Sequence, residues 1–330
     1  MSDPNSTPHS AEPPREEPFR LDFRVQGGER MARLPGHFQT SIDLHEYSTW
    51  LRVRSDEQLS MLVLTRHNGD LVERPVGLFR QRLDERQLAA LRRAVESTAW
   101  TKLPTPGRGD VTASRLEIEY RRGSLLIRRE FNARSREFLT AIAPLMEHLN
   151  ALMVALLARP AGALAVAVAT KIDPADAERR LLRMSVENLG SWPVVITDPR
   201  VPPPSGVTLP RAYLLVAPAP RETPGMMAVP PRWSRVEFPA LAEGEDDLHV
   251  LAGGGRIVLA ASWRPPHPGP FIVQGVWSDY AGPIRPAADH LQVMPLRGDD
   301  EPAPHGAAYP VRGSAFSTYA AFVVELPKPA

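Results

Sequence analysis

Cysteine is absent from all 330 residues, which excludes disulfides, thiolate metal centres and a cysteine nucleophile. That absence suits a reducing compartment, so a cytoplasmic protein is expected. Lysine is scarce as well: Lys102, Lys171 and Lys328 accompany 36 arginines. The formal net charge is nevertheless only +1, whereas a nucleic-acid binder gathers a basic excess on one face. By segment the net charge is −1 over residues 1–36, +4 over 37–160 and −2 over 161–330. None is polarised enough to argue for nucleic acid as a partner. Long apolar runs are missing too. The opening MSDPNSTPHSAEPPREEPFR has no apolar core, so no secretory signal is expected. The most apolar stretch, ALMVALLARPAGALAVAVA from residue 151, is broken by Arg159-Pro160 and falls short of the roughly 20 residues that cross a bilayer.

Proline, by contrast, is abundant, with 36 residues against 22 glycines. This is about twice its usual share. Proline interrupts helices and central strands alike, which argues for short strands joined by many loops. Hydrophobic residues at 43% suffice for packed cores, and the chain exceeds the usual size of a single core, so two domains are expected.

Residues 1–36 are rich in proline, serine and glutamate, the composition of a disordered tail. Residues 37–160 are expected to form an α+β domain in the order hairpin, helix, hairpin, helix, with both helices on one face of an antiparallel sheet. EQLSMLVLT leads to Asn68-Gly69, suited to a tight primed turn, and DLVERPVGLFR returns, with Pro75 placing that strand at an edge or bulge. In DERQLAALRRAVEST, Asp84 and Gln87 form a capping box, and Leu88, Leu91 and Val95 make one buried stripe. RLEIEY and LLIRREF then flank a turn at Arg121-Arg122-Gly123-Ser124. A long helix starts at Ser135, its apolar face running from Phe138 to Leu156, with Pro144 interrupting its hydrogen-bond ladder.

Residues 161–330 carry strand signals almost throughout: ALAVAVATKI, LLRMSVENLG, WPVVITD, RAYLLVAP, SRVEFPAL, RIVLAASW, PFIVQGVW, HLQVMPL and STYAAFVVEL. The one helical candidate is a turn at DPADAERRL. In the second strand Leu182, Met184 and Val186 point inward. Two runs, LLRMSVENLGSWPVVITDPR and GGGRIVLAASWRPPHPGPFIVQGVW, resemble the strand and turn grammar of immunoglobulin-like domains. That resemblance spans roughly residues 162–328 and implies an all-β two-sheet sandwich. It implies no activity and no site residue.

Motifs for chemistry are few. Gly253-Gly254-Gly255 runs into Ile257, Leu259, Ala261 and Trp263 at period two, so it reads as a turn before a strand. A phosphate loop would instead lead into a helix. The nine histidines form neither HxH nor HExxH. The acidic clusters Glu245-Asp246-Asp247 and Asp299-Asp300-Glu301 lack EF-hand spacing. No GxSxG elbow occurs, so neither metal nor cofactor is expected. Arg108-Gly109-Asp110 and Arg121-Arg122-Gly123-Ser124 match short recognition patterns but read first as loop and turn. The arginines at 115, 121, 122, 128, 129, 134 and 136 are interleaved with Glu117, Glu119, Glu130 and Glu137, the pattern of paired charges on a solvated face.

The candidate binding residues are Arg264, His267, Trp277, Asp279 and Tyr280, because aromatics beside arginine are typical interface anchors. Trp263 and Trp277 sit at inward positions, leaving Asp279 and Tyr280 as the exposed members. The function this favours is a non-enzymatic interaction or adaptor protein that binds a protein partner through sandwich loops or the domain junction. The alternative is a hydrolase with a site between the domains, drawing on Asp247, His249 and Asp279.

Overall fold

A computed structural model describes residues 19–26, 47–54, 58–63, 75–100, 115–132, 140–203, 210–219, 232–279, 308–311 and 313–324. These residues are mostly β, with two helices. The first half supplies β1 (Phe19–Gln26), β2 (Tyr47–Arg54), β3 (Gln58–Val63), β4 (Val76–Arg82), β5 (Arg115–Arg122) and β6 (Leu125–Asn132). Between and after them lie α1 (Glu85–Ser97) and α2 (Ala143–Leu157). The second half supplies β7 (Pro160–Asp173), β8 (Asp176–Asn188), β9 (Val194–Thr197), β10 (Ala212–Pro218), β11 (Ser234–Glu237) and β12 (Leu248–Leu251). It ends with β13 (Arg256–Trp263), β14 (Gly269–Asp279), β15 (Tyr309–Pro310), β16 (Gly313–Phe316) and β17 (Ala320–Val324).

Strands from both halves share one antiparallel sheet of nine, ordered β13-β8-β7-β4-β3-β2-β1-β5-β6. The sheet therefore crosses the boundary expected at residue 160, through the pairing of β4 with β7. A second sheet, β11-β10-β14-β16 with β17 also on β14, lies over β7, β4 and β13. A third, β12-β9-β15, completes the set among the described residues. The helices pack on each other, and α2 also packs on β3 and β4. One apolar core runs from Phe19 through Leu149 and Met184 to Ala315.

Several expectations hold at residue level. Asp84 and Gln87 form the capping box of α1, and Leu88, Leu91 and Val95 are its buried residues. Leu182, Met184 and Val186 are fully buried. β5 and β6 pair from Arg122↔Leu125 outward, leaving Gly123-Ser124 as a two-residue turn. Gly123 has φ +53°, as primed turns demand. The β3–β4 hairpin pairs Gln58↔Arg82 through Val63↔Gly77. Its expected Asn68-Gly69 turn lies outside the described residues, as do Arg108-Gly109-Asp110, Asp299-Asp300-Glu301 and the strand HLQVMPL.

Others need correction. Residues 19–26, assigned to the tail, form β1, whose Phe19, Leu21 and Phe23 are buried. β4 is an interior strand, and Pro75 immediately precedes it. The strand keeps its missing donor out of the ladder, and its irregularity falls at Leu78/Phe79 instead. DPADAERRL is a turn at Pro174-Ala175 followed by β8, because Asp173 caps that turn through the Ala175 N–H at 3.0 Å. Helical geometry breaks at Ile142, and α2 restarts at Ala143 with Pro144 in its first turn, where its missing N–H costs nothing.

The glycine triplet is a turn. Gly253 and Gly254 carry the chain from β12 into β13, with Gly254 at φ +74°. Asn188, fully buried, clamps it. Its Nδ2 donates to the carbonyls of Trp192, Leu251 and Ala252 at 2.8, 3.0 and 3.2 Å. Its Oδ1 accepts from Gly190 N at 2.9 Å.

The seam between the halves is tight as well. Gly77 has φ +131°, and a Cβ there would lie 2.4 Å from the Gly162 carbonyl oxygen. Neither strain nor clash can be relieved by a rotamer, since both involve backbone. Gly77→Ala is expected to cost about 3 kcal/mol or more in urea unfolding. Gly244→Ala, at φ +87° in open space, is expected to cost only about 1 kcal/mol.

Candidate functional site

β14 is eleven residues long, so its ends lie roughly 33 Å apart at the usual rise per residue. This divides the candidate binding residues into two groups. Arg264 and His267 precede β14, whereas Trp277 and Asp279 close it. Tyr280 lies outside the described residues.

The first end is a loop, Arg264-Pro265-Pro266-His267-Pro268, in which three of five residues have φ locked by a ring. Trp263 meets Phe271 edge-on at 5.2 Å between centroids, and Phe271 stacks on Phe322 at 5.9 Å. The exposed imidazole of His267 stacks on the same Phe271 at 5.0 Å. His267 Nδ1 lies 2.8 Å from the Pro268 carbonyl oxygen. A carbonyl can only accept, so Nδ1 carries the hydrogen. The neutral ring therefore keeps an acceptor at Nε2. Arg264 is exposed and ion-paired with Glu178 of β8.

Supporting contacts surround the loop. Arg180 donates to the Val323 carbonyl at 3.2 Å, tying β17 to β8. Ser262 donates to Asp173 at 2.6 Å, pinning the β7–β8 turn to β13. That bond and the one from Ala175 N–H hold the Asp173 carboxyl below the usual carboxylate range. Arginine and histidine thus stand on a supported, proline-stiffened loop next to Trp263 at the end of β13.

At the second end the expectation of an exposed Asp279 is corrected. Asp279 is buried and ion-paired with Arg211, because a carboxylate at that inward position requires a cation beside it. Trp277 is fully buried, as its inward position implies. Thr197 Oγ1 lies 3.5 Å from Asp279.

The next residue, Asp198, is the centre of a polar cluster. His249 Nε2 is 2.6 Å from its Oδ2. Arg200 bonds both carboxylate oxygens, Nε at 3.0 Å and a terminal nitrogen at 3.0 Å, and reaches Glu245 at 3.1 Å. The Asp198 N–H donates to the Asp247 carbonyl at 2.8 Å. Burial pushes the Asp198 carboxyl up, but hydrogen bonds from Arg200 and His249 outweigh it and leave the group below its usual range. The structure thus gathers Asp247, His249 and Asp279 near the end of β9 and adds three residues that sequence reasoning missed: Asp198, Arg200 and Arg211. The signal for Asp198 was the strand-ending Asp-Pro of ITDPR, which reads simply as a turn.

Chemically, a carboxylate that orients an imidazole is half of a proton-transfer device. Among the described residues the His249 side chain bonds Asp198 alone. No group of three metal-ligating side chains occurs among them. A cavity of about 300 Å³ lies elsewhere, lined by Pro75, Ala165, Ala167, Ser185, Glu187 and Leu189. It contains one ionisable group and neither polar cluster. No helix among the described residues is long and apolar enough to cross a membrane. Comparison with protein families and with curated proteins gives no match, so function is read from this chain's own residues.

The charge on Asp198 carries a stated pH dependence. A carboxylate whose folded value is lowered stabilises the fold above its unfolded value near 4 and loses that contribution as pH falls through the folded value. Asp198→Asn is expected to destabilise by about 2 kcal/mol at pH 7. The gap from wild type should narrow at pH 3, as read by thermal melts at both pH values.

Proposed function

We propose that this chain is a non-enzymatic interaction protein that binds a protein partner through the Arg264–Pro268 loop. The observation that carries the reading is the loop's rigidity combined with its composition. Ordering flexible side chains and loops is a main cost of association. Here three prolines and the His267 stack on Phe271 leave little to order. Arginine and tryptophan are the residue types that dominate interface energetics. An immunoglobulin-like sandwich built on β7, β8, β13 and the β10–β14 sheet would present this loop as such folds present theirs, on a rigid scaffold. The lack of cysteine suits a cytoplasmic setting.

A hydrolase is the second reading, favoured by one observation, the Asp198–His249 pair. It weighs less, because that carboxylate is already engaged by Arg200.

Affinity capture from lysate of the native source separates the two. The comparison uses wild type, the Arg264→Ala, His267→Ala double variant and His249→Ala. A stoichiometric partner retained by His249→Ala and lost by the double variant is the expected result. Identical capture by all three, or none by any, contradicts the loop as the recognition element.

A further inference from the structure

The β5–β6 hairpin tip combines features that the binding loop does not use. β6 is a terminal strand of the nine-stranded sheet, so the hairpin is flanked on one side only. Ser124 is the second residue of its two-residue turn and is exposed. Arg121 and Arg122 precede it at −3 and −2, and Leu125 follows at +1. Leu125 and Leu126 are 46% and 54% exposed. From the geometry we infer that Ser124 is a phosphorylation site for an arginine-directed serine/threonine kinase, and that the phosphate competes with Glu96 for Arg122.

Such a kinase binds its substrate extended, so the tip has to fray. The opening is local. Fraying residues 121–126 breaks the terminal β5–β6 pairs at the free edge and the last two β1–β5 pairs, Phe19↔Arg122 and Arg20↔Arg121, and the two leucines are already about half exposed, which limits the apolar surface added. Arg121 is 64% exposed and engaged only at the surface, with Glu119 at 3.1 Å, where an ion pair is worth little. Arg121 is thus within a kinase's reach, whereas Arg122 has to leave Glu96 to be read as well. In the transfer the Ser124 oxygen forms a bond to the γ-phosphorus of a nucleoside triphosphate. The bond from that phosphorus to the β–γ bridging oxygen breaks, the hydroxyl proton passes to the kinase's carboxylate, and the nucleoside diphosphate leaves.

The consequence follows from what Arg122 holds. Glu96 of α1 accepts from Tyr120 Oη at 2.7 Å and from Arg122 at 2.8 Å. Those two bonds, Tyr120's first, keep the Glu96 carboxyl below its usual range despite some burial. A phosphate of about −2 charge two residues from Arg122 is a stronger acceptor than one carboxylate. It draws the guanidinium toward the hairpin tip and leaves Glu96 with Tyr120, so the charge state of Ser124 is communicated to α1.

The test incubates the folded chain with an arginine-directed kinase and magnesium ATP and maps the product by mass spectrometry. Label on Ser124, absent in Ser124→Ala and about tenfold slower in Arg121→Ala, is expected if each kinase contact to arginine is worth at least one charge-assisted bond. Circular dichroism of Arg121→Ala is the control for folding. Three results overturn the proposal: no label on the folded chain, with or without label on a peptide of residues 118–127; label on a different serine only; or an unchanged rate in Arg121→Ala.

Discussion

The close passage of β4 and β7 is the constraint on which the rest of the molecule depends. At Gly77 the two backbones approach so nearly that a single added carbon would sit 2.4 Å from a carbonyl oxygen. This seam joins six strands of the first half to three of the second in one hydrogen-bonded sheet. Both layers above the sheet rely on it. α2 rests on β3 and β4 and carries α1, and the five-stranded sheet rests on β7, β4 and β13. Gly275 repeats the principle between layers: a Cβ there would meet Val168 and Met184 at 2.8 and 2.9 Å, so the two sheets approach as closely as a glycine allows.

Rigidity established there reaches the candidate sites by short routes. β7 and β8 continue to the turn that Ser262 pins to β13, and β13 ends at the proline loop. The glycine turn at the other end of β13 is held by Asn188, the last residue of β8. Both ends of the strand that delivers Arg264 and His267 are therefore anchored to β8 or its turn. The Asp198 cluster is supported differently, by charge pairing around a buried carboxylate.

Much of the fold was legible where periodicity and turn chemistry agreed. Asp84 and Gln87 announced α1, Gly123 announced the tight hairpin, and Leu182, Met184 and Val186 announced the face of β8. β1 shows how composition misleads. Phe19, Leu21 and Phe23 alternate with Arg20, Asp22 and Arg24, a strand signal hidden inside a window rich in proline and glutamate. The union of β4 with β7 was not legible, because pairing partners distant in sequence leave no local pattern. Gly77 and Gly162 declare themselves only once the strands lie side by side. The same holds for the site: Arg264 and His267 could be named from a loop, whereas Asp198 and Arg211 became visible only when the fold brought His249 and Asp279 to them.

Native-state hydrogen exchange in increasing urea tests the central claim most directly, that the nine-stranded sheet is one cooperative unit. The account expects the slowest amides of β2, β4, β7 and β8 to merge into a single global opening with one free energy and one urea dependence. Separate openings for β2 and β8, each with its own urea dependence and with β4 and β7 divided between them, would contradict it.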